Sequence, residues 1–234
     1  MNEQIVYYGF TNNPDRPHGL LHGKEPTPAI KEFVGDAHDL RFLKCPAYKD
    51  VMRNVFAIPS WFTLELVVES IGLGSNIVSQ DFLDNYITTH SEKKNVYAVE
   101  QSMMCIAKDD SLLMTQEPAS MTDNSFTRSC GVISGTFDIG KHFRMLSCAF
   151  FVKQGVNKVN INEDDSLYYL RFHTDKKIKF VPFFMSPKFE SLILNLGFQN
   201  TNSNSWKPLE YYYKLFKKKN LKKLLVEEIK KNLL

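Results

Sequence analysis

The chain is short of the devices that announce many functions. Cysteine occurs four times, as Cys45, Cys105, Cys130 and Cys148, at wide irregular intervals with no C-x-x-C pair. That spacing argues against structural zinc and makes buried free thiols in a reducing compartment the expectation. No apolar run reaches the roughly 18 residues that a membrane span requires. The first ten residues lack a basic segment followed by an apolar one, so secretion is not expected. Glycine loops of the Walker or Rossmann type are missing, and Gly72-x-Gly74 is only a turn. There is no G-x-S-x-G elbow and no H-x-E with P-C-x-x-C of the zinc deaminases. No internal repeat at a fixed period points to a solenoid or propeller.

What is present is a chain of 234 residues, 43% of them hydrophobic, enough for one large domain or two small ones. The net charge of +3 is unevenly placed. From Lys207 to Leu234 nine lysines face three glutamates, so this segment carries +6 and the preceding 206 residues −3. A mildly acidic body of residues 1–200 with a basic amphipathic tail of residues 201–234 follows.

The body is organised around Gly131 to Phe184, which reads as a meander of strands and hence as half of a β-sandwich or barrel. Arg144 to Val152 is an apolar run bounded by Gly140 and Gly155, Val156 to Ile161 alternates, and Asn162 to Ser166 is a polar corner. Leu167 to Phe172 and Lys176 to Phe184 complete the set. Upstream, Ile5 to Phe10 and Trp61 to Glu69 have strand character, while the prolines of residues 11–28 forbid a regular element there. His18 and His22 fall in that loop and read as solvated. Pro46 suits the first turn of a short helix, and Gln80 to Tyr86 is a further short segment. Lys108-Asp-Asp110 is turn chemistry for a hairpin between Ser102–Ile106 and Ser111–Thr115, and Pro118 to Thr127 is loop. Ser186 to Leu196 is a helix stopped by Gly197, followed by a polar linker at 200–205. In the tail, Tyr212, Leu215 and Phe216, then Leu221, Leu224, Leu225, Glu228 and Ile229, recur at helical spacing, with Asn220 dividing two helices.

Gly131-Val-Ile-Ser-Gly-Thr-Phe137 resembles the G-V-I-D-x-x-Y segment of the dUTPases and dCTP deaminases. Val159 to Phe172 is similar to the late strand pair of the same family, so the resemblance covers about residues 130–184. It implies a dUTPase-like sandwich or barrel of the β-clip type. In that family the motif's Asp orients the attacking water and its Tyr packs on deoxyribose; here Ser134 and Phe137 stand at those positions. A Ser hydroxyl does not act as that base at neutral pH. Phe137 keeps a stacking face without the hydroxyl, and the Gly-Ser-Ser phosphate motif and Gly-rich arm have no counterpart. Ser134, Phe137, Asp138 and Arg144 are therefore the candidate ligand-binding residues. Pro26-Thr-Pro28, Leu43 to Asp50 and Ile58-Pro-Ser60 also resemble a family of tailed phages and some bacteria that has no assigned activity.

Three functions are weighed. The first is a non-catalytic virion or accessory scaffold of a phage, homo-oligomeric or bound to an assembly partner, placed in the virion or the host cytoplasm. The second is a nucleotide-binding or nucleotide-hydrolysing protein using acids such as Asp138, Asp164 or Asp165. The third is an iron-dependent oxygenase in which His173 and Asp175 follow a strand in His-x-Asp form, with His90 or His142 as the third ligand. No cofactor is expected. Tyr212, Leu215, Phe216, Leu221, Leu224 and Leu225 are candidate partner contacts. Lys217, Lys218, Lys219, Lys222 and Lys223 beside Tyr211-Tyr-Tyr213 leave nucleic acid open as a partner.

Overall fold

The structure is a computed structural model that describes residues 3–11, 26–34, 44–69, 72–91, 95–195 and 209–234. Most of the proline-rich stretch with His18 and His22 lies outside these residues, as do Gly197 and the 200–205 linker.

The chain opens with β1 (Glu3–Thr11), then β2 (Thr27–Pro28), α1 (Ala29–Val34) and α2 (Pro46–Val51). Pro46 stands in the first turn of α2, where its missing N–H has no intrahelical partner to lose. Next come β3 (Val55–Pro59), β4 (Leu64–Val68), β5 (Leu73–Gly74) and α3 (Gln80–Tyr86). The Ser79 side chain caps α3 by accepting from the Phe82 amide. Two longer strands follow a short one: β6 (Ile87–Ser91), β7 (Val96–Ala107) and β8 (Leu113–Pro118). A capping box of Asn124 and Thr127 then starts α4 (Ser125–Ser129) inside a stretch expected to be loop. The segment singled out in the sequence supplies β9 (Cys130–Val132), β10 (Gly135–Asp138), β11 (Arg144–Val152), β12 (Lys158–Ile161), β13 (Ser166–Phe172) and β14 (Lys177–Met185). The chain closes with α5 (Pro187–Asn195), α6 (Leu209–Lys218) and α7 (Leu221–Lys231).

Among the described residues the strands form three sheets. The first has the order β14-β1-β7-β11-β9, with β6 also on β7; the second is β10-β8-β13-β3-β2; the third is β12-β4-β5. All pairings are antiparallel except β1 with β14. One apolar cluster joins the inner faces: Tyr8, Val99, Cys148 and Phe180 from the first sheet meet Ile58, Met114 and Leu170 from the second and Leu64, Leu66, Val159 and Ile161 from the third. The alternate residues of the first sheet, Tyr7, Met104, Ile106 and Phe183, face outward under α5, α6 and α7. On the far side, Val55, Ala57 and Tyr169 of the second sheet are covered by Ala29 and Met52. Period-two alternation thus feeds two clusters from each central strand, and the protein is mainly β, a sandwich with helices on its outer faces.

Two expectations are corrected. Residues 131–184 are strands but not a meander: β10 pairs with β8, β11 with β7 and β9, β12 with β4, β13 with β3 and β8, and β14 with β1. Each successive strand from β9 onward changes sheet, because the apolar rows seek distant partners on opposite sides of one cluster. For the same reason β7 and β8 are not a hairpin; the turn at Lys108–Asp110 carries the chain from the first sheet to the second. Smaller differences concern boundaries. The strand expected from Trp61 begins at Leu64, since Trp61 and Phe62 pack edge-on with Phe82 and Tyr86 instead. Strand pairing from Val156 onward starts at Lys158.

Candidate functional site

Between β9 and β10 the chain leaves the first sheet for the second through Ile133 and Ser134, both exposed. Residues 139–143 bring it back into β11. Phe137 and Arg144 therefore meet across the seam between the sheets, with the Arg144 guanidinium carbon 4.1 Å from the centre of the Phe137 ring. Arg144 is half-buried; its Nε is sealed from solvent and has no hydrogen-bond acceptor among the described residues. Burial lowers its pKa, opposed through space by Tyr168, Glu100 and Tyr213. Of the four residues proposed from sequence, the structure brings these two together.

Asp138 has a different duty. Its Oδ1 accepts from the amides of Leu112 (3.3 Å), Gly140 (3.1 Å) and Lys141 (3.2 Å), and its Oδ2 pairs with Lys141 Nζ at 2.8 Å. Burial pushes its pKa up, but the Lys141 ammonium and the backbone amides outweigh this and hold the carboxyl below its ordinary value. This is a cap on the turn that leads into β11. The backbone N–H of Asp138 donates to the Tyr213 hydroxyl of α6 at 2.8 Å, and Lys141 Nζ lies 5.9 Å from the centre of the Tyr213 ring. His142 is buried beside Phe143 and Phe216, with ring centres 4.6 and 4.4 Å away, and burial first, then Arg144, lowers its pKa to about 4. Ser134 stays exposed on the β9–β10 connection. Asp165 accepts from the Asn162 amide at 3.1 Å, and Asp164 takes a positive φ of 69°; both build the corner before β13.

His173 and Asp175 line an open cleft of about 510 Å³ with Asp50, Arg53 and Arg171. Here too the polar groups are matched. Arg171 forks onto Glu117 at 3.0 and 2.7 Å and donates to the Val51 carbonyl. Arg53 pairs with Asp50 at 2.5 Å and stands 3.7 Å from Asp175. His173 Nε2 lies 2.6 Å from Thr115 Oγ1, which also bonds Thr136. No three His, Cys, Asp or Glu side chains converge on a metal position among the described residues. Of the other histidines proposed with them, His90 is exposed on β6 and His142 lies under α6.

Of the six tail residues proposed as partner contacts, three pack into the chain's own core. Phe216, Leu221 and Leu225 are buried against the outer face of the first sheet, Tyr212 and Leu215 are half-buried, and Leu224 points outward at 50% exposure. Cys105, Cys130 and Cys148 are buried; burial raises all three thiols, Cys130 to about 12, so none is a thiolate at neutral pH. Lys141 and the Tyr213 contact went unnoticed in the sequence. Tyr213 lies 75 residues from the amide it receives, and no local signal announces such a bond.

No helix of the described residues is long and apolar enough to cross a membrane. No protein-family model, curated protein or solved structure matches the chain.

Proposed function

We propose that the chain is a non-catalytic β scaffold that acts as an oligomer, with a virion or phage-accessory setting suggested by the resemblances at residues 26–28, 43–50 and 58–60. A dUTPase-like ancestry of residues 130–184 belongs to the same proposal. One observation carries the non-catalytic part. Asp138, the acid that directly follows the motif at residues 131–137, is bonded to three backbone amides and to Lys141. A carboxylate committed in this way holds a turn, and its lowered pKa makes it a weaker base toward water. The oligomer is supported by Ile133, just after edge strand β9, and Phe151, on β11 opposite it, exposed at 41% and 42%. Apolar side chains beside an open strand edge favour association.

Light scattering on the purified chain tests this directly. The reading expects a defined oligomer that Phe151→Lys converts to monomer, and no phosphate release from a panel of deoxynucleoside triphosphates with Mg²⁺. A monomer at every concentration removes the oligomer, and turnover lost in Asp138→Asn removes the non-catalytic assignment.

A further inference from the structure

At the seam between the sheets Asp138 is tied to Tyr213 by a hydrogen bond and to Lys141 by an ion pair, and Arg144 lies beside them. Its guanidinium has surrendered hydration on one face to the Phe137 ring, 4.1 Å away. Its Nε is buried with no hydrogen-bond acceptor among the described residues. Glu100 acts on it through space. A guanidinium taken from water is ordinarily repaid by a hydrogen-bonded anion. Two neighbours favour one here. Lys141 cancels the Asp138 charge that would otherwise repel it, at 2.8 Å. The Tyr213 hydroxyl accepts from the Asp138 amide, which leaves its own proton to donate, and Asp138 directly follows Phe137, the residue on which Arg144 stacks.

We propose that this seam is a binding site for a single oxyanion, a carboxylate or phosphate group, held by the Arg144 guanidinium and the Tyr213 hydroxyl. Phe137 fixes the plane of the guanidinium, so that its nitrogens present a preset fork to the ligand. The site needs no catalysis and does not depend on the scaffold reading; a deoxynucleotide, a free phosphate or an acidic terminus would each offer the required group.

The test follows the Arg144 Nε–Hε resonance in ¹H–¹⁵N spectra of the full chain, assigned by its loss in Arg144→Lys. Sodium phosphate, sodium acetate and sodium chloride are titrated at matched ionic strength. A saturable shift with phosphate or acetate, absent with chloride, is the expected result. Response to phosphate alone identifies a phosphorylated ligand, and response to acetate identifies a carboxylate. Tyr213→Phe, which keeps the ring, weakens the binding roughly tenfold or more. Shifts that follow ionic strength equally in all three salts, without saturation, overturn the proposal and make Arg144 a plug stacked on Phe137. Should Arg144→Lys fail to fold, the wild-type titration and Tyr213→Phe still decide the matter.

Discussion

At position 142 an imidazole is wedged between the loop after β10 and helix α6, with its Nδ1 against the Phe143 carbonyl. Burial, reinforced by the Arg144 charge, lowers its pKa from the usual 6.5 to about 4. The unfolded chain therefore binds more protons than the folded one between these two values, so stability falls as the pH drops through that window. The loss reaches about 3 kcal/mol near pH 4. Asp138 and Glu228, whose carboxyls titrate below their ordinary values of 3.8 and 4.5, add their own losses from about those values downward. Urea unfolding measured stepwise from pH 7 to pH 4 should show the decline in the wild type and a flatter profile in His142→Gln. An unchanged slope in the variant would exclude His142 as the cause. Glycines make a second contrast at this scale. A Cβ at Gly9 would run into the Phe183 ring across the parallel pair, and a Cβ at Gly131 into the Phe151 ring across β9 and β11. Phe183 is fully buried under α5 whereas Phe151 is 42% exposed and free to swing aside. Gly9→Ala should therefore cost about 1–3 kcal/mol through overpacking, and Gly131→Ala less than about 1 kcal/mol, partly offset by a stiffer unfolded chain. Equal losses in denaturant titrations would refute the distinction.

Among the elements, the tail helices show what periodicity reveals and where it stops. Asn220, at a positive φ of 49°, separates α6 from α7 where the sequence placed a division. The stripe of Phe216, Leu221, Leu225 and Ile229 is buried as the spacing required, but Leu224, assigned to the same face, lies on the exposed side. Leu225→Ala should cost about 2–5 kcal/mol and Leu224→Ala no more than about 0.5 kcal/mol; thermal or urea unfolding of the pair checks this. Strands were legible for a similar reason: alternation in β4, β11 and β14 is a local pattern that marks a half-buried ribbon whatever lies opposite it. The partner of each strand was not legible. Lys108–Asp110 has the residues of a tight turn, yet Lys222 Nζ of α7 reaches in to bond the Asp109 carbonyl, Asp110 and Gly140, 2.8 Å from the last, and the turn spans two sheets. The site followed the same rule. Phe137 and Arg144 were both visible as residues, but their stacking exists only because β10 and β11 lie in different sheets.

On the scale of the whole molecule, the first sheet is completed by opposite ends of the chain. Strand β1 lies between β7 and β14, in parallel register with residues 177–185, and presents Tyr8 to the inner cluster and Tyr7 to the outer one. The free side of β14 is covered in turn by the last residues: Phe184 donates to the Asn232 carbonyl at 3.1 Å, and Leu233 bridges Phe183. Pairings this distant in sequence make closure of the sandwich a late and slow event. They also separate two kinds of deletion. Removing residues 209–234 strips one cover from the outer face of the first sheet but leaves the cluster between the sheets intact. That variant should keep its β circular dichroism and a cooperative unfolding transition while gaining affinity for an apolar dye at exposed Met104, Ile106 and Phe183. Removing residues 2–11 takes the central pairing partner from β7 and β14 at once and opens both clusters, so no cooperative transition should survive. If the two deletions behave alike in denaturant, then β1 is not the strand on which the sandwich closes, and the division of the core into an inner and an outer cluster has no energetic meaning.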